Sequence, residues 1–331
     1  MGTTGAALPA PSGYEELNRH TRVIVDEALA RGVSVEVVDP ALGELCLRFG
    51  GRSVITLESL SELTSAVAFR RCDDKLLTRQ VLQRAGLPVA AGQAATSDAA
   101  DRAFLDQHCD LVVKPARGEQ GRGITVGVTT PEELHGAGDL ARRHWPQVLL
   151  EKRCDGEDLR VVVIDHEVVA AAVRRPPLVT GDGATTLRKL IARYNCERVE
   201  ATGASSVVPL DDLTLDTLSA AGFDDLESVV PDGVSVTVRR TANVHTGGTI
   251  DDVTEVLHEG LGQLAVAAAE AVDLPVAGVD LIISAVDDPD GIIIEVNEQP
   301  GLANHEPRPT AQRFVDLLFP ETVSGDAPIG P

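Results

Sequence analysis

Aromatic side chains make up only 3% of this 331-residue chain, and its 29 Lys and Arg are outnumbered by 51 Asp and Glu, giving a formal charge of −22. Few aromatics means little material for base-stacking platforms. The negative balance opposes the counterion displacement on which general nucleic-acid binding depends, and it disfavours an anionic membrane surface. No apolar run reaches the roughly 18 residues of a spanning helix. The five cysteines, at 46, 72, 109, 154 and 196, form no CxxC or Cys/His cluster. A zinc site or disulfide framework is therefore not indicated, and the thiols fit a reducing cytoplasm. Residues 1–12 lack the basic flank and apolar stretch of a signal peptide. Residues 1–20 are expected to be a disordered leader and 321–331 a disordered tail. No internal repeat is visible. The 43% apolar content is ample for globular cores.

Apolar periodicity predicts a helix over 21–29, stopped at Gly32, and an alternating strand over 33–38. Runs at 45–49 and 52–56 flank Gly50-Gly51 as a hairpin. Residues 21–72 thus read as a small α/β lobe. A long amphipathic helix is expected over 73–85, closed by Gly86 and Pro88. Strands follow at 111–115, 124–128 and 147–152, with a helix over 132–143. Residues 176–240 are polar and weakly periodic, the pattern of an insertion or flap. A second hairpin, 279–285 with 292–297, turns on DDPDG at 287–291.

Three segments carry chemistry. In VKPARGEQGRG, at 113–123, Gly118, Gly121 and Gly123 free the backbone to curl around anionic oxygens. Lys114 ends the preceding strand as a point charge for phosphate. The segment is not a P-loop, which needs GxxxxGK[ST] leading into a helix; joining two strands, it is expected to fold over phosphates as a lid. In VLLEKRCDGED, at 148–158, an apolar strand delivers Glu151 and Lys152 as candidates for an adenine edge, and Asp158 follows a turn at Gly156 within reach of ribose hydroxyls. In EVN, at 295–297, Glu295 and Asn297 share one strand face. If residues 286 and 291 pair across the turn, Asn297 falls opposite Asp280, and Asp280, Glu295 and Asn297 converge as hard oxygen donors suited to Mg²⁺. The surrounding isoleucines make this hairpin core-like, where idle carboxylates are costly.

Together, in this order, the three segments resemble the ATP-grasp superfamily of carboxylate–amine ligases, over about residues 21–320. The resemblance is nearest to the ATP-grasp part of cyanophycin synthetases and N-acetylglutaminylglutamine synthetases. CDDKLLT (72–78), RPPLVTGDGATT (175–186), TANVHTGGT (241–249) and NEQPGLANHEP (297–307) carry the narrower match. It implies an α/β (α+β) ATP-grasp fold: a small N-terminal pre-ATP-grasp lobe (21–72), a central lobe with the glycine-rich lid (73–155), and a C-terminal lobe (156–320) containing the insertion 176–240. It further implies Lys75 and Lys114 on phosphates, Glu151 and Lys152 at adenine, Asp158 at ribose, and Asp280, Glu295 and Asn297 on magnesium. Two Mg²⁺ ions are expected, with Mn²⁺ able to substitute. D-alanine ligase relatives place an arginine two residues before the metal aspartate, where this chain has Gly278. Arg160, Arg239 and Arg240 are the candidates to replace it.

The implied reaction passes the γ-phosphoryl of ATP to a carboxylate. An amine then attacks the acylphosphate and phosphate leaves, joining small amino acids, a glutamine-type dipeptide among them. Arg239, Arg240 and Asn243 are the expected catalytic groups, since Gly247-Gly248 permits close backbone approach by a substrate carboxylate or phosphoryl. Arg160, Asn304 and His305 are the expected substrate-pocket residues. The partners implied are small molecules, with no nucleic acid or membrane and with room for a homo-oligomer. The rival readings are an ATP-grasp phosphotransferase, which usually brings a swivelling phosphohistidine segment not seen here, and an inactive nucleotide sensor.

Overall fold

A computed structural model describes residues 8–118, 121–202 and 206–323, without the side chains of 201 and 202. The expected leader and tail lie partly outside these residues. The chain begins α1 (Arg19–Ala30), β1 (Ser34–Asp39), β2 (Glu44–Phe49), β3 (Arg52–Leu57), β4 (Leu60–Ser61), α2 (Ala66–Asp73), α3 (Lys75–Arg84). It continues β5 (Gly92–Ala94), α4 (Asp98–His108), β6 (Leu111–Pro115), β7 (Thr125–Val128), α5 (Pro131–His144), β8 (Val148–Lys152), β9 (Glu157–Ile164), β10 (Glu167–Arg175), β11 (Leu178–Thr180). It ends α6 (Leu187–Thr202), α7 (Asp212–Ala220), β12 (Ser235–Thr237), β13 (Thr249–Asp252), α8 (Glu259–Val272), β14 (Val276–Ile283), β15 (Gly291–Asn297), α9 (Thr310–Leu318).

Two compact units emerge, each drawn from separated stretches of sequence. The first takes its described residues from Met1–Val89, Arg160–Ala172 and Asp252–Pro331, the second from Ala90–Leu159 and Val173–Asp251. In the first unit, β1 to β4 form an antiparallel meander in sequence order. The meander shares one core with α1 and α9, built around Ile24, Leu45, Leu47, Phe314 and Phe319. β14 and β15 pair antiparallel at the end of a sheet ordered β13-β10-β9-β14-β15. In the second unit the sheet order is β5-β8-β6-β7, and Leu111, Val113 and Leu150 pack against α4 and α5 through Phe104, Leu134 and Ala141. α5 starts from a capping box, with Thr130 and Glu133 satisfying each other's orphan backbone donors.

Two expectations need correction. The helix expected over 73–85 runs only over Lys75–Arg84 and is preceded by a separate helix, α2, because Asp74 adopts an extended backbone between them and its carboxylate accepts from the Leu76 and Leu77 N–H groups. A residue that caps one helix cannot continue another. In the β14–β15 hairpin, Ile283 pairs with Gly291, so the turn is longer than expected. A bulge between Asp280 and Leu281 on the pairing ladder then shifts the register, setting Glu295, and not Asn297, opposite Asp280. Within the expected insertion, 176–240, Val179, Leu187, Leu190, Ile191, Leu218, Val230, Val236 and Val238 pack into a core of their own.

That core sets an expected outcome. Leu218 is fully buried, so Leu218→Ala should cost about 2–5 kcal/mol in chemical denaturation of the full chain. A loss below about 0.5 kcal/mol, the usual value for a surface site, would mean that the insertion lacks a packed interior.

Candidate active site

The hairpin β14–β15 assembles the acidic cluster within the first unit. Asp280 lies on β14 at 3% exposure, and an unpaired carboxylate there would be prohibitively costly. Arg160, on β9, holds it with a two-pronged contact: Nη2 donates to Oδ2 at 2.9 Å and Nε donates to Oδ1. Gly278 makes the room. A Cβ at that position would stand 2.9 Å from Arg160 Nη1 and 3.0 Å from the Pro300 Cβ. Of the three candidate arginines, Arg160 therefore brings its guanidinium to the space beside Gly278.

Glu295 faces Asp280 across the ladder. Asn297 stands opposite Gly278, and its Nδ2 donates to Gly278 O at 3.3 Å and approaches Asp280 Oδ2 at 3.5 Å. The three expected ligands are thus gathered, by a register different from the expected one. Among the described residues no three His, Cys, Asp or Glu side chains form a metal-holding group; a cation here would take two carboxylates and the Asn297 amide oxygen. That all-oxygen set suits a hard divalent ion.

Lys75 occupies the first position of α3, where a cation opposes the helix dipole. Its Nζ lies 2.9 Å from Glu295 Oε1. Burial works to lower the Lys75 pKa, but the charge and hydrogen bond of Glu295 outweigh it and raise the pKa. The turn after β15 is anchored by Ser59, whose hydroxyl donates to Pro300 O at 2.7 Å. Beyond it a short helical turn, Leu302–His305, buries His305 and leaves Asn304 partly exposed.

The second unit carries the other expected residues. Lys114 and Glu151 form an ion pair of 2.6 Å between neighbouring strands, each side chain 9% exposed. Strand β8 lies between β5 and β6, and its last N–H, on Lys152, donates to Ala91 O at 2.7 Å. The Lys152 side chain is exposed. Asp158 Oδ1 accepts from Arg174 Nη2 at 2.7 Å and Nε at 3.0 Å. Arg174 was missed in the sequence. Its placement on β10, the strand paired back onto β9, is the only signal that could have found it. The glycine-rich segment does join two antiparallel strands, β6 and β7, and Gly118, Gly121 and Gly123 have φ of 133°, 75° and 74°. Residues 119 and 120 lie outside the described part.

The adjacent arginines diverge. Arg239 is buried, and its Nη1 donates to Asp211 Oδ1 and to Thr214 Oγ1 at the start of α7. Arg240 is exposed and its Nη1 donates to Val126 O on β7 at 3.1 Å. Asn243 caps the turn that follows, accepting from His245 N at 2.9 Å. Gly247 and Gly248 serve the loop's own packing: a Cβ on Gly247 would collide with the Val208 side chain, and one on Gly248 would lie 2.8 Å from Ala242 O.

The Arg160–Asp280 contact predicts that Arg160→Ala loses about 3–5 kcal/mol in urea unfolding, because a buried charge is stranded. Adding Asp280→Asn to that variant should recover part of the loss. Equal stability of Arg160→Ala and wild type would remove Arg160 as the partner.

A family model described as a RimK-like ATP-grasp domain matches residues 72–183 and 228–311, more than half of the chain. A cyanophycin synthetase of Trichormus variabilis is 32% identical over 95% of this chain and 36% of its own length. The crystal structure of a bifunctional glutathione synthetase from Pasteurella multocida aligns with TM-score 0.66 and 26% identity, over 93% of this chain and 44% of that one. A D-alanine–D-alanine ligase from Bacillus anthracis shares the fold at TM-score 0.50 and 15% identity, over 78% of this chain and 70% of that one. The chain spans less than half the length of the curated relatives cited among these matches.

Proposed function

This chain belongs to the RimK-like ATP-grasp family, and on that premise we propose that it is an ADP-forming ligase joining the carboxylate of one small amino acid to the amine of another. The observation that carries the reading is the β14–β15 hairpin, where Asp280, Glu295 and Asn297 gather beside Lys75 and Arg160. Holding two ion pairs together at one hairpin has a desolvation cost that ligand binding would justify. Residues 21–72 are the pre-ATP-grasp lobe in this reading, 73–155 the central lobe and 156–320 the C-terminal lobe. Five free thiols fit a cytoplasmic setting, and no described helix is long and apolar enough to cross a membrane.

The residues divide the work as follows. Glu151, Lys152 and Asp158 hold the nucleoside, while Lys114, Lys75 and the backbone of Gly118, Gly121 and Gly123 neutralise and wrap the phosphates. Asp280, Glu295 and Asn297 hold Mg²⁺, two ions in this reading, with Mn²⁺ able to substitute. When bound, Mg²⁺ supplies Lewis-acid neutralisation of phosphate oxygens. Nucleotide binding requires Lys75 and Lys114 to exchange their carboxylate partners for phosphate oxygens, so each cation is kept desolvated and aimed before ATP arrives.

Little covalent chemistry falls to the protein, so orientation dominates. The acid's carboxylate oxygen attacks the γ-phosphorus and ADP leaves. The amine then attacks the acyl carbon, loses a proton, and expels phosphate as the amide forms. Arg160 and Arg240 offset the charge on the transferring phosphoryl and the tetrahedral oxyanion, while Arg239 stays on Asp211 and Thr214 at the start of α7. Asn243, Asn304 and His305 line the amino-acid side, and a glutamine-type dipeptide is the product favoured by the 297–307 motif. The lid between β6 and β7 keeps water from the acylphosphate.

The test is Mg²⁺-dependent ADP release with glutamine, N-acetylglutamine, glutamate, aspartate and arginine, singly and in pairs. Release that needs one pair, with a product one condensation heavier, is the expected result. Release with a single acid would favour a phosphotransferase, and ATP binding without release from any pair would favour a nucleotide sensor. Glu295→Ala should abolish turnover. Arg240→Ala should lower kcat by a larger factor than it weakens ATP binding, and a normal kcat would remove Arg240 from the reaction.

A further inference from the structure

The loop over 241–249 takes its shape from the insertion. On α6, Leu187, Leu190 and Ile191 are set into the insertion's core. Farther along the same helix the inward residues turn polar. Tyr194 and Arg198, four apart and so on one face, both reach the Gly-Gly segment. The Tyr194 hydroxyl donates to Gly247 O. Arg198 Nη2 donates to Gly248 O at 3.0 Å and to Ser206 Oγ at 3.0 Å, and the Ser206 hydroxyl donates onward to Val244 O.

Between these contacts, Asn195 locks the neighbouring segment with a reciprocal pair. Its Nδ2 donates to Val208 O at 2.9 Å and its Oδ1 accepts from Val208 N at 2.8 Å. Val208 in turn fills the place of the missing Gly247 side chain. Three loop carbonyls therefore end on side chains from α6 or from Ser206. Within the loop, Thr246 and Gly248 N–H groups both donate to Asn243 O, at 3.1 and 3.0 Å. The loop is thus held at Val244, Gly247 and Gly248, while Arg240 just before it and His245 within it are exposed.

We propose that Tyr194 and Arg198 are positioning residues for amino-acid binding, holding the 241–249 loop so that Arg240 and Asn243 meet the substrate carboxylate in a fixed geometry. This rests on the ligase reading above, and it makes the insertion part of the substrate site's support. Arg198 suits the task because its planar fork spans two acceptors at once. Burial raises the Tyr194 pKa, so its hydroxyl remains a donor.

The test uses the full chain with Tyr194→Phe, which keeps the ring, and Arg198→Lys, which keeps the charge but loses the fork. Amide hydrogen exchange is followed at Thr246, Gly247 and Gly248. Steady-state KM is measured for ATP and for whichever of glutamine, N-acetylglutamine, glutamate, aspartate and arginine supports turnover. Losing one such bond should speed exchange at these amides by up to about tenfold. The amino-acid KM should rise by a similar factor while the ATP KM stays within about twofold. Unchanged exchange in both variants would overturn the clamp. Faster exchange with an unchanged amino-acid KM would leave the contacts purely structural and overturn the positioning role. A wild type that releases no ADP with any pair would fail the ligase reading instead, and exchange alone would then decide whether the clamp exists.

Discussion

A carboxylate on an interior strand cannot be left both ionised and alone, and Asp280 is that carboxylate. Its burial fixes the features around it. Arg160 must extend from β9 to neutralise it, Gly278 must lack a side chain so that the guanidinium fits, and Pro300 closes the other side of the same space. The β-bulge then brings Glu295 directly across from Asp280. With Lys75 of α3 paired to Glu295 and Arg160 of β9 to Asp280, two bases from outside the hairpin offset its two acids. Each charge is retained at a desolvation cost that only a balanced set can offset.

The same device recurs in the second unit with Lys114 and Glu151. In both places a lysine with an expected phosphate role rests on a carboxylate. At Lys75 the charge and hydrogen bond of the carboxylate outweigh burial and raise the ammonium pKa, and in both places the ion pair holds a long side chain in one orientation. Lys75 shows the point most clearly, because the start of α3 is electrostatically the wrong end for a lysine and Glu295 compensates. A residue that local preference disfavours and tertiary structure supports is where function is expected to override folding propensity.

Much of the fold was legible because it rests on short-range signals. The Gly50-Gly51 hairpin, the strand over 111–115 and the helix over 132–143 all follow from local composition. The candidate ligands were legible too, since alternation in EVN puts Glu295 and Asn297 on one face. Their register was not. The ladder starts from Ile283 and not from residue 286, and a bulge then breaks the period of two, leaving the buried positions Ile293 and Val296 three apart inside an isoleucine run. The packed interior of the insertion was not legible for a different reason. Its overall polarity obscured a helical stripe, Leu187, Leu190, Ile191 and Tyr194, that α6 turns inward. The fates of Arg239 and Arg240, adjacent in sequence but buried and exposed in space, depend on where α7 begins, which no local pattern specifies.

The account's central claim is that these charges serve phosphoryl transfer to a carboxylate before amide formation. The most direct measurement uses the acid substrate labelled with ¹⁸O in its carboxylate, together with ATP, Mg²⁺ and the amine, and follows the label into inorganic phosphate. An acylphosphate route delivers one ¹⁸O from the acid into each phosphate released. Phosphate carrying no label from the acid, while the amide accumulates at the same rate, would contradict it.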